Sequence, residues 1–243
     1  AGMVTYWPFD EGEGVTAADT SGNGMNATID GAEWTSGFRG AALQFAGDAE
    51  KDIVTADAAL GITTDTFTIS AWVKRMGDQS DWSGIVYART LPGNGPSSGM
   101  NINTNGTLRY NWTEDKWPFN PIDATGDQGF ILPDNEWAFV AMVVEPTQAQ
   151  VYVIEQDATV HVAANELDHL PETFGSPFVV GHDRLKSEGL NGRYFTGAID
   201  EVMIFDEALG EADLLAYAFI PEPMSGTLAF LGFGLLAVLR RKW

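Results

Sequence analysis

Residues 66–73, which decide the fold, read Thr66-Phe67-Thr68-Ile69-Ser70-Ala71-Trp72-Val73. Successive side chains of a β-strand point to opposite faces of a sheet, and β-branched and aromatic residues favour strands. The alternation in this segment therefore predicts a strand with one buried face, formed by Phe67, Ile69, Ala71 and Val73.

Eight more stretches have the composition of short strands and are separated by Gly, Pro, Asn and Asp. This pattern predicts an all-β protein with two antiparallel sheets, arranged as a sandwich or jellyroll. One helix is expected at residues 210–219. A single domain over residues 1–219 is expected because no repeat or long linker divides the chain. The eight stretches are residues 4–7, 42–45, 84–87, 108–112, 137–144, 150–154, 178–181 and 198–205.

Four motifs occur in an order that resembles the LamG-like jellyroll domains of the concanavalin A-like lectin/glucanase superfamily. The resemblance implies two stacked antiparallel sheets, one of them concave. It leaves the ligand open, because the superfamily includes lectins, enzymes, adhesion modules and spacers. The motifs are VTYWPFDEGEGVTAADTSGNGMNATIDGAEW at 4–34, GAALQFAG at 40–47, TFTISAWVKR at 66–75 and GAIDEVMIFDEALGEADLLAYA at 197–218.

Carboxylates in two of these motifs suggest a calcium site. Asp200 lies within an apolar stretch, where an unpaired carboxylate is costly. Ca²⁺ takes six to eight oxygen ligands in flexible geometry. The family resemblance implies a structural calcium that joins the first-strand region to the last strand, held by Asp10 and Asp200, with Asp19 and Asn23 as further candidates. The alternative is an Asx-turn loop around Asp19 and a backbone-capping role for Asp200.

Aromatic side chains amid Asn, Asp and Arg suggest a glycan groove, since sugar C–H faces stack on aromatic rings. The candidate residues are Trp82, Tyr87, Arg89, Tyr110, Trp112 and Trp117, with Trp117 as the expected exposed platform. The alternative is that the Trp and Tyr side chains belong to the sandwich core. Residues 91–99 are expected to form a loop, since they are rich in Gly and Pro.

The paired-carboxylate motif of glycan-cleaving enzymes in this superfamily is absent from the sequence. Laminarinase-type glycosidases carry ExDxxE on one strand, whereas the nearest match here, at residues 166–172, has Pro171 in place of the final glutamate. The sequence contains no HExxH and no cysteine. We therefore expect a protein that is not an enzyme, with an unrecognised hydrolase or lyase as an alternative. The net charge of −21 also makes nucleic acid an unsuitable partner.

The last 24 residues, 220–243, resemble a PEP-CTERM sorting signal of Gram-negative bacteria. Its three parts are Pro221-Glu222-Pro223, an apolar run of 16 residues at 224–239, and a basic end with Arg240 and Arg241. As a helix the run would span about 24 Å, at about 1.5 Å per residue. The resemblance implies a short transmembrane helix held transiently in the inner membrane, with its C-terminus in the cytoplasm, and recognition by an exosortase-type membrane peptidase. A simple C-terminal anchor is the alternative.

Together these features predict an exported, non-catalytic protein of the cell surface or exopolysaccharide matrix that binds a polysaccharide or another surface component. A second possibility is a structural or adhesive subunit that assembles as a homo-oligomer. In that case calcium or screening salt must reduce the repulsion between acidic copies before they can associate.

Overall fold

The protein is an antiparallel β-sandwich in a computed structural model that describes residues 2–47, 52–89, 97–112, 122–123, 130–183 and 192–220. Two large sheets pack face to face, and a small third sheet of two strands lies beside them. This confirms the predicted all-β, two-sheet architecture. All nine stretches that the sequence predicts as strands are strands here, with bounds that differ by no more than two residues.

The described part of the chain contains eighteen strands and one helix. They are β1 Met3–Trp7, β2 Thr16–Ala17, β3 Ala27–Asp30, β4 Glu33–Ser36, β5 Ala41–Ala46, β6 Ile53–Ala59, β7 Thr63–Thr64, β8 Phe67–Arg75, β9 Ser83–Arg89, β10 Ser97–Ile102, β11 Leu108–Asn111, β12 Ile122–Asp123, β13 Trp137–Glu145, β14 Gln148–Ile154, β15 Val160–Asn165, β16 Glu172–Thr173, β17 Pro177–Val180, β18 Thr196–Phe205 and α1 Glu211–Ala218.

Strand order brings the two ends of the domain together. The nine-stranded sheet has the order β12-β15-β14-β13-β8-β18-β5-β4, and β1 also pairs with β18. The seven-stranded sheet has the order β11-β10-β9-β17-β6-β3-β2, and β16 pairs with β7. The first and last strands of the domain are therefore hydrogen-bonded neighbours at the centre of one sheet.

The core lies between the two large sheets and is rich in aromatic side chains. The predicted buried face of residues 66–73 points into it, and Phe67 stacks on Phe174 with ring centroids 4.4 Å apart. Phe67 also lies 6.0 Å from Phe178 of the seven-stranded sheet, so the two sheets are in direct aromatic contact. Stacked and edge-to-face pairs of this kind add stability beyond their buried area.

A second apolar layer covers the outer face of the nine-stranded sheet. Helix α1, which confirms the helix predicted at 210–219, buries Leu214 and Ala218 there. Trp72 stacks on Phe38 at 3.5 Å, and its Nε1 donates to the carbonyl of Ala218 at 3.1 Å. Strand β8 is consequently buried on both faces from Phe67 to Val73.

The expected loop at 91–99 is partly wrong, because β10 begins at Ser97 and pairs with both β9 and β11. Trp117 and the predicted sorting residues Pro221, Glu222, Pro223, Arg240 and Arg241 lie outside the described residues. In the ranges given above, no helix combines the length and the apolar character that crossing a membrane requires.

Candidate functional site

The outer face of the seven-stranded sheet, which points away from the core, carries mostly polar side chains. Directly opposed residues of an antiparallel ladder lie on the same face. The alternate residues Ala88 and Phe178 face the core. One row crosses the outer face from β2 to β11 through Thr16, Thr28, Thr55, Val179, Tyr87, Gly99 and Asn111.

A neighbouring set of residues extends this surface toward the β11 edge. Asn101 is opposite Arg109, and Ser97 is opposite Arg89. Thr28, toward the β2 edge, is exposed, whereas Asn111, at the β11 edge, is buried. We call it the outer polar face and define it by Thr28, Thr55, Tyr87, Arg89, Asn101, Arg109 and Asn111.

Two buried asparagines, Asn101 and Asn111, lie at the β11 end of this face. Nδ2 of Asn101 donates to Oδ1 of Asn111 at 2.7 Å. Oδ1 of Asn101 is fully buried by the surrounding protein and has no hydrogen-bond partner, so a ligand could reach it only if the groups that cover it moved. Buried polar atoms in native proteins are nearly always paired, so this unfilled acceptor is an exception that a donor from a ligand or an ordered water would remove.

Arg89 is the second group whose hydrogen-bonding capacity is not used. Its side chain is only 6% exposed. Nε and Nη1 are both buried without a hydrogen-bond partner. Burying an ionised group without a counter-ion is costly, and a guanidinium does not neutralise itself by losing a proton. The fold therefore holds a desolvated cation on this face.

Arg109 joins the outer polar face to Trp82. Nη1 of Arg109 lies 3.1 Å from Oδ1 of Asp81, and its guanidinium carbon lies 5.1 Å from the centroid of the Trp82 ring. That distance is within the range of a cation–π contact. Trp82 is partly exposed and has a positive φ of 67°, an uncommon conformation for a bulky residue. The strained backbone turns its indole toward the end of the sheet that Arg109 occupies.

Further charges converge on Tyr87. Nη1 of Arg193 lies 2.7 Å from Oδ2 of Asp183, and the carbonyl of Arg193 accepts from the Gly84 amide at 3.1 Å. Burial raises the pKa of Tyr87; the charge of Asp183 acts in the same direction, while Arg89 and Arg193 oppose it. The Tyr87 hydroxyl therefore stays protonated and can act as a neutral donor or acceptor.

The structure brings together three of the predicted glycan-binding residues and separates two others from them. Trp82, Tyr87 and Arg89 lie on or beside the outer polar face. Tyr110 is 0% exposed and Trp112 is 1% exposed, and both belong to the core between the sheets. They alternate with Arg109 and Asn111 along β11, so the period of the strand puts them on the opposite side. Neither ring can stack on a ligand while the core is intact.

Tyr110 and Trp112 instead help attach the segment before β16 to the sheet. The Tyr110 hydroxyl is hydrogen-bonded to Nε2 of His169 at 3.1 Å, and burial raises the pKa of Tyr110 to about 12. Trp112 Nε1 donates to the carbonyl of Leu170 at 2.8 Å. Residues 166–171, which contain most of the near-match to ExDxxE, lie outside any strand.

A second candidate site lies on the outer face of the nine-stranded sheet, at an irregularity in β18. One edge of β18 pairs with β5 through residue 199 and with β1 from residue 202 onward. Asp200 and Glu201 fill the gap, with a shift of register against β8 and a φ of 54° at Glu201. Bulges of this kind re-aim side chains. Both carboxylates are buried here.

Arg39, in the turn between β4 and β5, is the cation that faces these carboxylates. Its Nη1 lies 3.0 Å from Oε2 of Glu201, which also accepts from the Tyr6 hydroxyl at 2.5 Å. The amide of Arg39 donates to Oδ2 of Asp200 at 3.1 Å. The other Asp200 oxygen, Oδ1, is buried with no partner.

Electrostatics at this site favour a further cation. Burial raises the pKa of Asp200 to about 8, and the nearby charges of Glu201 and Asp10 contribute to the increase. Burial also raises the pKa of Glu201. Three acidic groups thus share one guanidinium, and the charged form of Asp200 is poorly compensated.

Oxygen atoms of three residues meet beside Gly37. A Cβ atom at Gly37 would lie 2.6 Å from Oδ2 of Asp200 and nearer still to the carbonyl oxygens of Arg39 and Ala41. Oδ1 of Asp10 accepts from the Ala41 amide at 3.2 Å, so Asp10 reaches the same turn. Carboxylate and carbonyl oxygens around one point form the donor set that Ca²⁺ prefers. Asp10 and Asp200 thus supply oxygen atoms of the kind that Ca²⁺ prefers, and calcium binding by this pair stays a prediction.

Asp19 and Asn23 have other roles. Oδ1 of Asp19 accepts from the amides of Tyr6 and Ser21, and Oδ2 accepts from the Met25 amide and the Ser21 hydroxyl, all at 2.9 Å. Asn23 Nδ2 donates to the carbonyls of Met3 and Val4 at 3.0 Å. This is the Asx-turn loop given above as the alternative. In the ranges that the structure describes, no three His, Asp or Glu side chains are grouped to hold a metal.

The chain belongs to the concanavalin A-like lectin/glucanases superfamily, whose sequence profile matches residues 47–214. A search of curated proteins finds no match.

Solved structures with a similar fold include domain 4 of AbnA, an extracellular GH43 arabinanase from Geobacillus stearothermophilus, in complex with arabinotriose. It is 18% identical, with a TM-score of 0.64 over 89% of this chain and 98% of that domain. Trypanosoma rangeli sialidase is 14% identical, with a TM-score of 0.61 over 88% of this chain and 32% of the sialidase. The binding domain of Paraclostridial Mosquitocidal Protein 1 is 15% identical, with a TM-score of 0.58 over 88% of this chain and 51% of that protein.

We predict that Asp19→Asn destabilises the protein by about 1.5–3 kcal/mol, because an amide nitrogen would face N–H donors that now bond to a carboxylate. Burial opposes ionisation of Asp19, but the donated hydrogen bonds give a net lowering of its pKa. Its contribution is therefore complete above the unfolded pKa of about 3.9 and is lost as the pH falls through the lower folded value. Urea unfolding at pH 7 and pH 3 measures both effects. Equal loss at the two pH values would contradict this role.

Proposed function

We propose that this chain is a non-catalytic saccharide-binding module and that the outer polar face holds the ligand. The observation that carries the proposal is the pair of unfilled buried groups on that face, Oδ1 of Asn101 and the guanidinium of Arg89. Saccharides present hydroxyl groups that both donate and accept, so different hydroxyls of one oligosaccharide can fill the acceptor and the donor. The half-buried indole of Trp82 adds an apolar surface for sugar C–H groups.

The arrangement of acids supports binding rather than hydrolysis. Asp81 and Asp183, beside the outer polar face, are ion-paired with Arg109 and Arg193. Hydrolysis of a glycosidic bond requires two carboxylates that flank the ligand. The adjacent carboxylates Asp200 and Glu201 are on the other sheet, on its far side from the outer polar face. The arabinotriose complex of the AbnA domain, which shares the fold over nearly its whole length, also supports a saccharide ligand.

Calcium enters the proposal as a structural ion. Asp10, Asp200 and the carbonyls of Arg39 and Ala41 would hold it, and its charge would compensate the buried carboxylates. It would then join the β4–β5 turn to the first and last strands. Because this site and the outer polar face lie on opposite sides of the sandwich, the ion would stabilise the fold without touching the saccharide.

Export completes the proposal and is supported by the sequence alone. We infer that residues 220–243 are a PEP-CTERM signal, and that an exosortase-type peptidase processes the chain at Pro221-Glu222-Pro223 in a Gram-negative host. The working location is then the cell surface or the exopolysaccharide matrix. The acidic surface suits that setting, since a large net charge keeps proteins soluble and separate.

For the saccharide site, we expect Trp82→Ala to weaken binding to an immobilised polysaccharide panel about 5- to 30-fold, the equivalent of 1–2 kcal/mol for a lost stacking contact. Trp34→Ala is the matched control, because Trp34 is also partly exposed but lies on β4 of the other sheet. Affinity electrophoresis measures both variants. Equal losses for the two, or none for Trp82→Ala, would place the ligand elsewhere, and reducing-sugar release would favour an enzyme.

For the calcium site, we expect Ca²⁺ to raise the Tm of the EDTA-treated protein at pH 7 and Asp200→Asn to abolish the increase. The variant should be at least as stable as the wild type in EDTA, because the raised pKa of Asp200 means that folding at pH 7 requires protonation of this carboxyl group, a cost that an amide avoids. Asp19→Asn is the control and should retain the full response to Ca²⁺. An unchanged Tm for the wild type on adding Ca²⁺ would disprove the site.

For the sorting signal, intact-mass analysis of protein recovered from a producing bacterium should show loss of the residues that follow Pro223. Glu222→Ala should block the loss, because it alters the triplet that the peptidase recognises, whereas Ser225→Ala should be processed normally. A full-length wild-type mass at the cell surface would instead favour a retained anchor.

A further inference from the structure

Positive charge is concentrated on the outer polar face of a strongly acidic protein. The chain has 13 Lys and Arg against 34 Asp and Glu. In the described part of the chain, the basic side chains are Arg39, Lys74, Arg75, Arg89, Arg109 and Arg193. Arg89 and Arg109 belong to the outer polar face, and the charge of Arg193 reaches Tyr87 on it. Two of these six cations thus belong to the outer polar face, and the charge of a third acts on Tyr87 there.

Among the residues that the structure describes, Arg89 differs from the other two in lacking an acidic partner. Arg109 is paired with Asp81 and Arg193 with Asp183, at 3.1 and 2.7 Å. Nε and Nη1 of Arg89, by contrast, are both buried without a partner. A neutral sugar hydroxyl would satisfy one of these donors but would leave the charge uncompensated. A carboxylate would accept from one of these donors and would also neutralise the charge.

We propose that the saccharide bound by the outer polar face carries a carboxylate, as uronic acids do, and that Arg89 is its counter-ion. This inference rests on the proposed saccharide-binding function. In it, Asn101 Oδ1 accepts from a hydroxyl of another ring of the same oligosaccharide, and Trp82 lies beside that end of the ligand. Arg109 and Arg193 add positive potential near the carboxylate while they remain paired with their own acids.

The net charge of the chain gives this binding an unusual dependence on salt. At long range the acidic protein repels an acidic oligosaccharide, and salt screens that repulsion, since the Debye length falls from about 30 Å at 0.01 M to about 10 Å at 0.1 M. The buried contact with Arg89 is screened much less. Affinity should therefore rise over this range of salt, whereas a basic lectin would lose affinity for the same ligand.

The test compares charged and neutral forms of the same sugar by titration calorimetry. The probes are oligosaccharides of galacturonate, glucuronate and mannuronate, each beside its carboxyl-reduced counterpart, together with a sulfated dextran. We expect the wild type to bind at least one uronate tenfold or more tightly than its reduced form, with the predicted dependence on salt. Arg89→Met should bind the two forms equally, and Lys74→Met, which removes one cation from the other sheet, should keep the preference.

A folding control accompanies the variants. Arg89→Met should keep or raise the Tm, because it replaces a buried unpaired cation with an apolar side chain of similar length. Equal wild-type affinity for charged and reduced forms, a preference that survives in Arg89→Met, or a preference for the sulfated dextran would overturn the carboxylate. Binding to neither form of any probe would instead contradict the proposed saccharide function, whereas Trp82-dependent binding without acid preference would contradict this inference alone.

Discussion

The pairing of β18 with two strands along one edge is the constraint on which the rest of the domain depends. Strands β5 and β1 lie end to end against β18, and the residues between them cannot continue either ladder. Asp200 and Glu201 occupy that break, and Arg39 bonds to both and to the carbonyl of Ala218 at the end of α1. The first and last strands, the β4–β5 turn and α1 therefore meet at one buried cluster of charged residues. The same irregularity in β18 contains Asp200, whose Oδ2 lies near the carbonyl oxygens of Arg39 and Ala41 beside Gly37.

Strands with strong alternation were predictable from sequence, whereas short strands of small residues were not. β8 and β13 carry long apolar or alternating runs, but β6 and β10 are rich in Ala, Ser, Gly and Asp, and their pairing depends on neighbours that are distant in sequence. The prediction for residues 66–73 also missed the burial of Trp72, because nothing in that segment reveals that α1 will cover its outer face.

The candidate sites show the same division. Asp10 and Asp200 stand out in sequence because their motifs are distinctive, and Arg89 because it adjoins aromatic residues. Asn101 and Asn111 were missed, although a signal was present. In Leu108-Arg109-Tyr110-Asn111-Trp112 the apolar residues take alternate positions, so Arg109 and Asn111 must share the other face. The unfilled capacity of Arg89 and Asn101 depends on their neighbours in space, and no sequence pattern reports it.

Helix α1 and the outer polar face, where we propose that a ligand binds, lie on opposite sides of the domain. The helix ends on the outer side of the nine-stranded sheet, where Phe219 and Ile220 pack against the apolar layer. The outer polar face is on the opposite side of the sandwich, two sheets away. If the domain is attached through the segment that follows Ile220, the nine-stranded sheet faces the point of attachment and the outer polar face points away from it. Such a polarity suits a surface protein that captures material from its surroundings rather than one that grips the envelope beneath it.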